Sequence, residues 1–336
     1  MLPRLDGWRG ICILLVLVGH YISPLATFSS AGVEFFFVLS GSLMADLLVF
    51  RRQEIGLFLR RRVARVFPAL AVYVGLIGLA LNISLRLQGL PLRLASPLAA
   101  LFYFHNYLPH DNVVQVFEHT WSLAVEEHSY LLLVGIVLAA RRRPLLAAAI
   151  ALAISMFAVA NACRLTALPY AGGQSILWRS DVRVASVLIS FGICILLRRL
   201  GPKRLSGWGT VAAACAALFE LSDPAISPIR LGISTLLAAY AVNSLAFCGP
   251  RLRATLATPP LVWLGTLSFS IYLWQQPLYF LAKAGSPPLA CIAMTIPCAL
   301  MSFRLVENPA RDFLNSSWGR KGDPATMQTT AAACPQ

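Results

Sequence analysis

The chain has 336 residues, 58 % of them hydrophobic and only 12 % charged, with a mean hydropathy of +0.70. Soluble domains carry roughly 25 % charged residues, so a soluble globular protein is excluded. The formal net charge of +14 does not mark a nucleic-acid binder, because the basic residues cluster between apolar runs, as the cytoplasmic loops of a membrane protein do. The eight cysteines, mostly inside apolar runs and without C-x-x-C spacing, read as small core residues and not as a disulfide framework or a zinc site.

Runs of roughly the 17 to 25 residues that a bilayer requires fall near 10–27, 32–50, 68–87, 120–140, 144–162, 181–197, 207–221, 229–247, 261–283 and 287–305. They predict an all-α polytopic membrane helix bundle of about ten transmembrane helices. The apolar stretch at 94–106 is too short to cross and predicts a re-entrant or surface helix. With this count, 21 of the 28 basic residues share the side of Arg4 and Arg9, among them Arg60 to Arg62, Arg141 to Arg143, Arg198 and Arg199. Both termini are therefore predicted to be cytoplasmic. Residues 1–314 read as one transmembrane domain and 315–336, small and polar, as a disordered cytoplasmic tail. Arg4 and Arg9 ahead of a short apolar core suggest a signal peptide, but no small-residue cleavage site follows, so the first helix is expected to be retained.

In the first helix, LDGWRGICILLVLVGHY, ten residues separate Arg9 from His20. Eleven helical steps return to within about 20° of the starting direction and rise about 16 Å, so both side chains share a face. Arg9 then lies at one membrane surface and His20 near mid-depth, where an ionisable group either bonds a neighbouring helix or serves a functional site. In the second helix, GVEFFFVLSGSLM, Glu34 is placed at the outer end, and Ser40 and Gly41 either allow close helix packing or leave room for a ligand. Between the second and third helices, FLRRRVARVFP repeats Arg61, Arg62 and Arg65 at helical spacing. This describes a basic interfacial helix that serves as a lipid anchor or a phosphate-binding surface.

The fourth helix begins HTWSLAVEEHSYLLL, and Glu126, Glu127 and His128 cannot all face lipid. A glutamate that reached His20 would orient its imidazole for general-base chemistry; a structural salt bridge is the alternative. Tyr272, Gln275 and Gln276 in SFSIYLWQQP, and Asp181 with Arg183 in SDVRV, are either polar glue between helices or site residues.

Taken in order, LDGWRGICILLVLVGH, FFFVLSG, FLRRRVARVFP, HTWSLAVEEHSY, LSFSIYLWQQP and FRLVENPAR resemble the membrane-bound acyltransferase family 3 over residues 1 to 312. That family includes O-antigen, exopolysaccharide and nodulation-factor O-acetylases. The resemblance implies an integral protein of the bacterial cytoplasmic membrane that moves an acyl group, most often acetyl, from acyl-CoA to a hydroxyl of a glycan or glycosylated small molecule. Acyl-CoA is then a co-substrate; no permanently bound cofactor, metal or nucleic acid is expected, and membrane lipids are the remaining partner. By the same resemblance His20 is the catalytic base or acyl carrier, with Glu126 or Glu127 as its orienting carboxylate. Arg9, Arg62, Arg65, Phe35, Phe36, Ser40 and Gly41 fall on the family's donor motifs, and Trp121 and Ser122 on its W-S-L motif; with Glu34, Tyr272 and Gln275 these two are assigned to the acceptor. The chain departs from the usual pattern at Gln275, where many members have histidine, and at Ala185, where many have aspartate. No esterase domain of the kind some relatives append is expected. A secondary transporter with a His/Glu proton relay and a catalytically inactive scaffold are the competing readings.

Overall fold

A computed structural model describes residues 3–22, 27–168, 173–202, 204–223 and 225–319, and among these the secondary structure is entirely helical. In chain order the helices are α1 (Pro3–Tyr21), α2 (Thr27–Met44), α3 (Ile55–Leu87), α4 (Ala95–Leu101), α5 (Trp121–Ala139), α6 (Pro144–Thr166) and α7 (Gly173–Trp178). They continue with α8 (Ser180–Leu200), α9 (Gly207–Leu221), α10 (Pro228–Ser244), α11 (Pro250–Leu256), α12 (Pro259–Lys283), α13 (Pro288–Ser302) and α14 (Asn308–Gly319). The stretch near 94–106 folds as the short α4 and a 3-10 turn at His105–Tyr107.

Seven helical segments among the described residues are long and apolar enough to cross a membrane, and α11 with α12, bent by 53° at their junction, make an eighth if they form one span. Helix α1 is not among the seven because its 19 residues carry Arg4, Asp6 and Arg9, and α9 is only 15 residues long. Residues 58–68 do not form a separate interfacial helix. They are the first turns of α3, whose 33 residues run about 50 Å at 1.5 Å each, longer than the ~30 Å hydrocarbon layer. Arg60 and Arg61 are exposed on this helix while Arg62 and Arg65 turn inward. At the C-terminus α14 extends through Gly319 and packs against α3, so 315–319 are helical; the rest of the expected tail, 320–336, lies outside the described residues.

Helix α1 occupies the centre of the bundle, packed against α2, α11, α12 and α13. Its closest neighbour is α12, and glycine makes that approach possible. A Cβ on Gly10 would stand 2.2 Å from the Leu261 carbonyl oxygen, and one on Gly265 would stand 1.7 Å from that of Asp6. With no side chains between them the two backbones touch, which is how helices associate in lipid without a hydrophobic driving force. The interior around α1 is filled by Cys12, Ile13, Val16, Phe37, Val38 and Ile271, all nearly inaccessible. This packing holds Arg9 and His20 on a fixed rod between α2, α5 and α12.

Candidate active site

A cavity of about 80 Å³ is lined by the guanidinium groups of Arg9, Arg62 and Arg65 together with Ser40, Ser122 and Glu126. The three arginines are held differently. Arg62 is gripped: its Nη2 lies 2.8 Å from Glu126 Oε2, its Nε donates to Glu127 Oε1 at 2.7 Å, and its guanidinium sits 4.5 Å from the centre of the Tyr130 ring. Ser40 donates to Glu126 Oε1 at 2.6 Å, and the Tyr130 hydroxyl donates to the same oxygen. Arg9 has one loose contact, 3.4 Å to Asp6. Arg65 has no carboxylate within ion-pair distance among the described residues, so its charge is the one left for an incoming anion.

A larger cavity, of about 360 Å³, contains His20, His119, Trp121, Arg183, Tyr279 and Lys283. The His20 ring stacks on Tyr279 at 4.6 Å between centroids and 16° between planes. Its Nδ1 lies 2.7 Å from Gln275 Oε1. Trp121 stacks on Trp178 at 5.5 Å, giving this cavity a flat aromatic wall. Val33 and Tyr272 line both cavities. The Tyr272 hydroxyl lies 2.7 Å from Ser122 Oγ and donates to the His119 carbonyl at 2.9 Å, so the boundary between the cavities is a hydrogen-bonded tyrosine.

Several residues singled out from the sequence stand elsewhere than expected. Glu126 and Glu127 do not bond His20; they neutralise Arg62, because a guanidinium withdrawn from water needs its counter-charges in direct contact. The partner of His20 is instead Gln275, assigned above to the acceptor. Glu34 is not at an outer helix end. It is wholly buried between α8 and α10, 2.9 Å from Arg183 Nη2 and accepting from Thr235 Oγ1 at 2.5 Å, which makes it an anchor between helices. Phe35 turns away from both cavities to stack on Trp8 at 5.6 Å. Gly41 serves close packing, since a Cβ there would stand 2.1 Å from the Val187 carbonyl of α8. Phe36, Ser40, Arg9, Arg62 and Arg65 do line the smaller cavity, and Trp121 the larger.

Tyr279 and Tyr130 were missed. Each follows a motif already marked, Tyr279 four residues after Gln275 and Tyr130 four after Glu126, and that one-turn spacing is the signal that finds them.

A family model described as an acyltransferase domain matches residues 2–304. Among curated proteins, the chain is 26 % identical to the peptidoglycan O-acetyltransferase OatA of Listeria monocytogenes, over 95 % of this chain and 57 % of that protein. It is likewise 26 % identical to the putative peptidoglycan O-acetyltransferase YrhL of Bacillus subtilis, covering 92 % of this chain and 55 % of the relative. A putative O-acetyltransferase of Staphylococcus aureus, SACOL0978, is 25 % identical over 92 % of this chain and 57 % of its own length. The chain thus spans little more than half the length of these relatives. No solved structure matches it.

Proposed function

The chain belongs to the acyltransferase-3 family, and on that premise we propose that it is a membrane O-acyltransferase which moves an acyl group, acetyl first among them, from acyl-CoA to a hydroxyl of a sugar-containing acceptor. We further infer about ten crossings, with α1, α9 and the bent α11–α12 pair added to the seven longest apolar segments, and both termini on the cytoplasmic side of a bacterial inner membrane. Two relatives are named for peptidoglycan, and a glycan acceptor is the reading that fits both their names and the aromatic wall of Trp121 and Trp178.

One observation carries this reading: Arg9 and His20 extend from a single helix into two cavities that abut at Tyr272. On this reading the donor's phosphates meet Arg65 and Arg9, whose charges are not consumed by close carboxylates. Arg62, neutralised by Glu126 and Glu127, shapes the wall. The thioester passes Tyr272 and Ser122 toward His20. His20 Nε2 takes the acceptor's hydroxyl proton, the oxygen attacks the thioester carbonyl, and the sulfur leaves with the proton from the ring. A neutral imidazole is suited to both halves of that exchange.

The test is transfer by the purified protein in lipid nanodiscs, with acetyl-labelled acetyl-CoA as donor and muramidase-released peptidoglycan fragments as acceptor. Label should appear in the fragments as a base-labile ester, and His20→Ala should abolish it while the protein remains folded. Solute flux that needs no CoA, with no ester formed, would favour a transporter and end this reading.

A further inference from the structure

The tautomer of His20 is dictated by a relay of side-chain amides, and the reasoning starts from a group with no choice of role. The backbone carbonyl of Gln115 only accepts, and Gln276 Nε2 donates to it at 3.4 Å. Gln276 therefore turns its amide oxygen the other way, where Gln275 Nε2 donates to it at 3.0 Å. The same Gln275 nitrogen lies 3.5 Å from the Tyr272 carbonyl, a second group that can only accept. With its NH₂ committed on that side, Gln275 presents Oε1 to His20, 2.7 Å from Nδ1. An amide oxygen has no proton to give, so Nδ1 must carry it. The stack on Tyr279 fixes the plane of the ring, and Nε2 has no hydrogen-bond partner among the described residues of the larger cavity.

We propose that Gln275, and Gln276 one step behind it, are positioning residues that lock His20 as the Nδ1–H tautomer and so leave the Nε2 lone pair facing the acceptor. This rests on the reading of His20 as the base. The amide differs from a carboxylate in the same place because it accepts the Nδ1 hydrogen bond but does not take the proton or supply a counter-charge. The proton that Nε2 removes from the acceptor hydroxyl as the ester C–O bond forms therefore stays on the ring until the thioester C–S bond breaks. It then leaves on the CoA sulfur, returning His20 to its starting tautomer. In this chain a neutral relay does what an orienting carboxylate does elsewhere.

The decisive measurement is nitrogen NMR of the full-length protein in nanodiscs with ring-labelled histidine, the His20 signals being assigned by their loss in His20→Ala. The wild type should show a protonated Nδ1 and a bare Nε2. Gln275→Leu and Gln276→Leu should shift the population toward the Nε2–H form that free imidazole prefers in water. Transfer from acetyl-CoA to peptidoglycan fragments should fall about tenfold or more in kcat, with KM for acetyl-CoA nearly unchanged. Gln275→Glu, which still accepts from Nδ1, should keep the tautomer and most of the transfer while moving the acidic limb of the pH–rate profile to higher pH. An Nε2–H ring in the wild type, or leucine variants that keep the Nδ1–H form, would overturn the relay. Should the leucine variants not fold, the wild-type spectrum and the Gln275→Glu profile decide alone. Activity persisting in His20→Ala would sink the proposed function and leave the tautomer assignment standing.

Discussion

Tyr272 and Ser122, their hydroxyl oxygens 2.7 Å apart, stand at the boundary between the cavity of arginines and the cavity of His20. Tyr272 lines both spaces, Ser122 lines the first, and the adjoining Trp121 lines the second. Any group that passes from one to the other passes this pair. Ser122→Leu, which puts an isobutyl group into the passage, should lower acyl transfer by about tenfold or more while acetyl-CoA binding at the arginines is kept. Equilibrium binding of labelled acetyl-CoA and the transfer rate, measured on the same preparation, check this. Tyr272→Phe loses only the hydrogen bond, worth about 1 kcal/mol, and should cost the protein far less.

Arg62 and Arg65 share a helix and line one cavity, yet their substitutions should fail in opposite ways. Arg62→Ala leaves Glu126 and Glu127 buried without their counter-charge, a loss on the order of 3–5 kcal/mol, and should abolish folded protein on size-exclusion chromatography. Arg65→Ala breaks no ion pair among the described residues and should yield folded protein with a raised KM for acetyl-CoA. A folded, fully active Arg62→Ala protein would contradict the first half, and an unchanged KM in Arg65→Ala the second.

The contact between α1 and α12 has no room for a methyl group. Gly265→Ala would bring its Cβ to 1.7 Å from the Asp6 carbonyl oxygen, and Gly10→Ala to 2.2 Å from that of Leu261. Because the obstacle in each case is backbone, relief requires the helices to separate, at a cost of about 3 kcal/mol or more. Both variants should lower the thermal midpoint sharply. Gly75→Ala, where nothing lies within 4 Å of the added carbon, is the matched control and should not.

His105 supplies a pH dependence of stability. It is buried outside the spanning segments, with Nε2 2.9 Å from Ser96 Oγ, and burial lowers its pKa from 6.5 to about 4. Between those values the unfolded chain binds a proton that the folded chain refuses, so stability falls as the pH drops from 6.5 toward 4 and is flat above it. The loss is at most ~3 kcal/mol. Thermal unfolding in detergent across that range should show the fall, and His105→Gln, which cannot titrate, should flatten most of it.

The primary structure alone determined what repeats locally. Long apolar runs required helices in a membrane, and the ten-residue gap between Arg9 and His20 placed both side chains on one face, because helical periodicity is a property of the segment itself. Which groups those side chains meet was decided only by tertiary structure. Glu126 was legible as a buried charge that needed a partner, but nothing in its own helix distinguishes Arg62 from His20 as that partner. The choice depends on how α3, α5 and α12 settle around α1. Gln275 acquired its place beside His20 in the same way, across 255 positions of sequence, through glycine contacts that set how closely α1 and α12 approach. Spacing within a helix is fixed by covalent geometry and backbone hydrogen bonds, whereas pairing between helices follows from packing summed over the whole bundle.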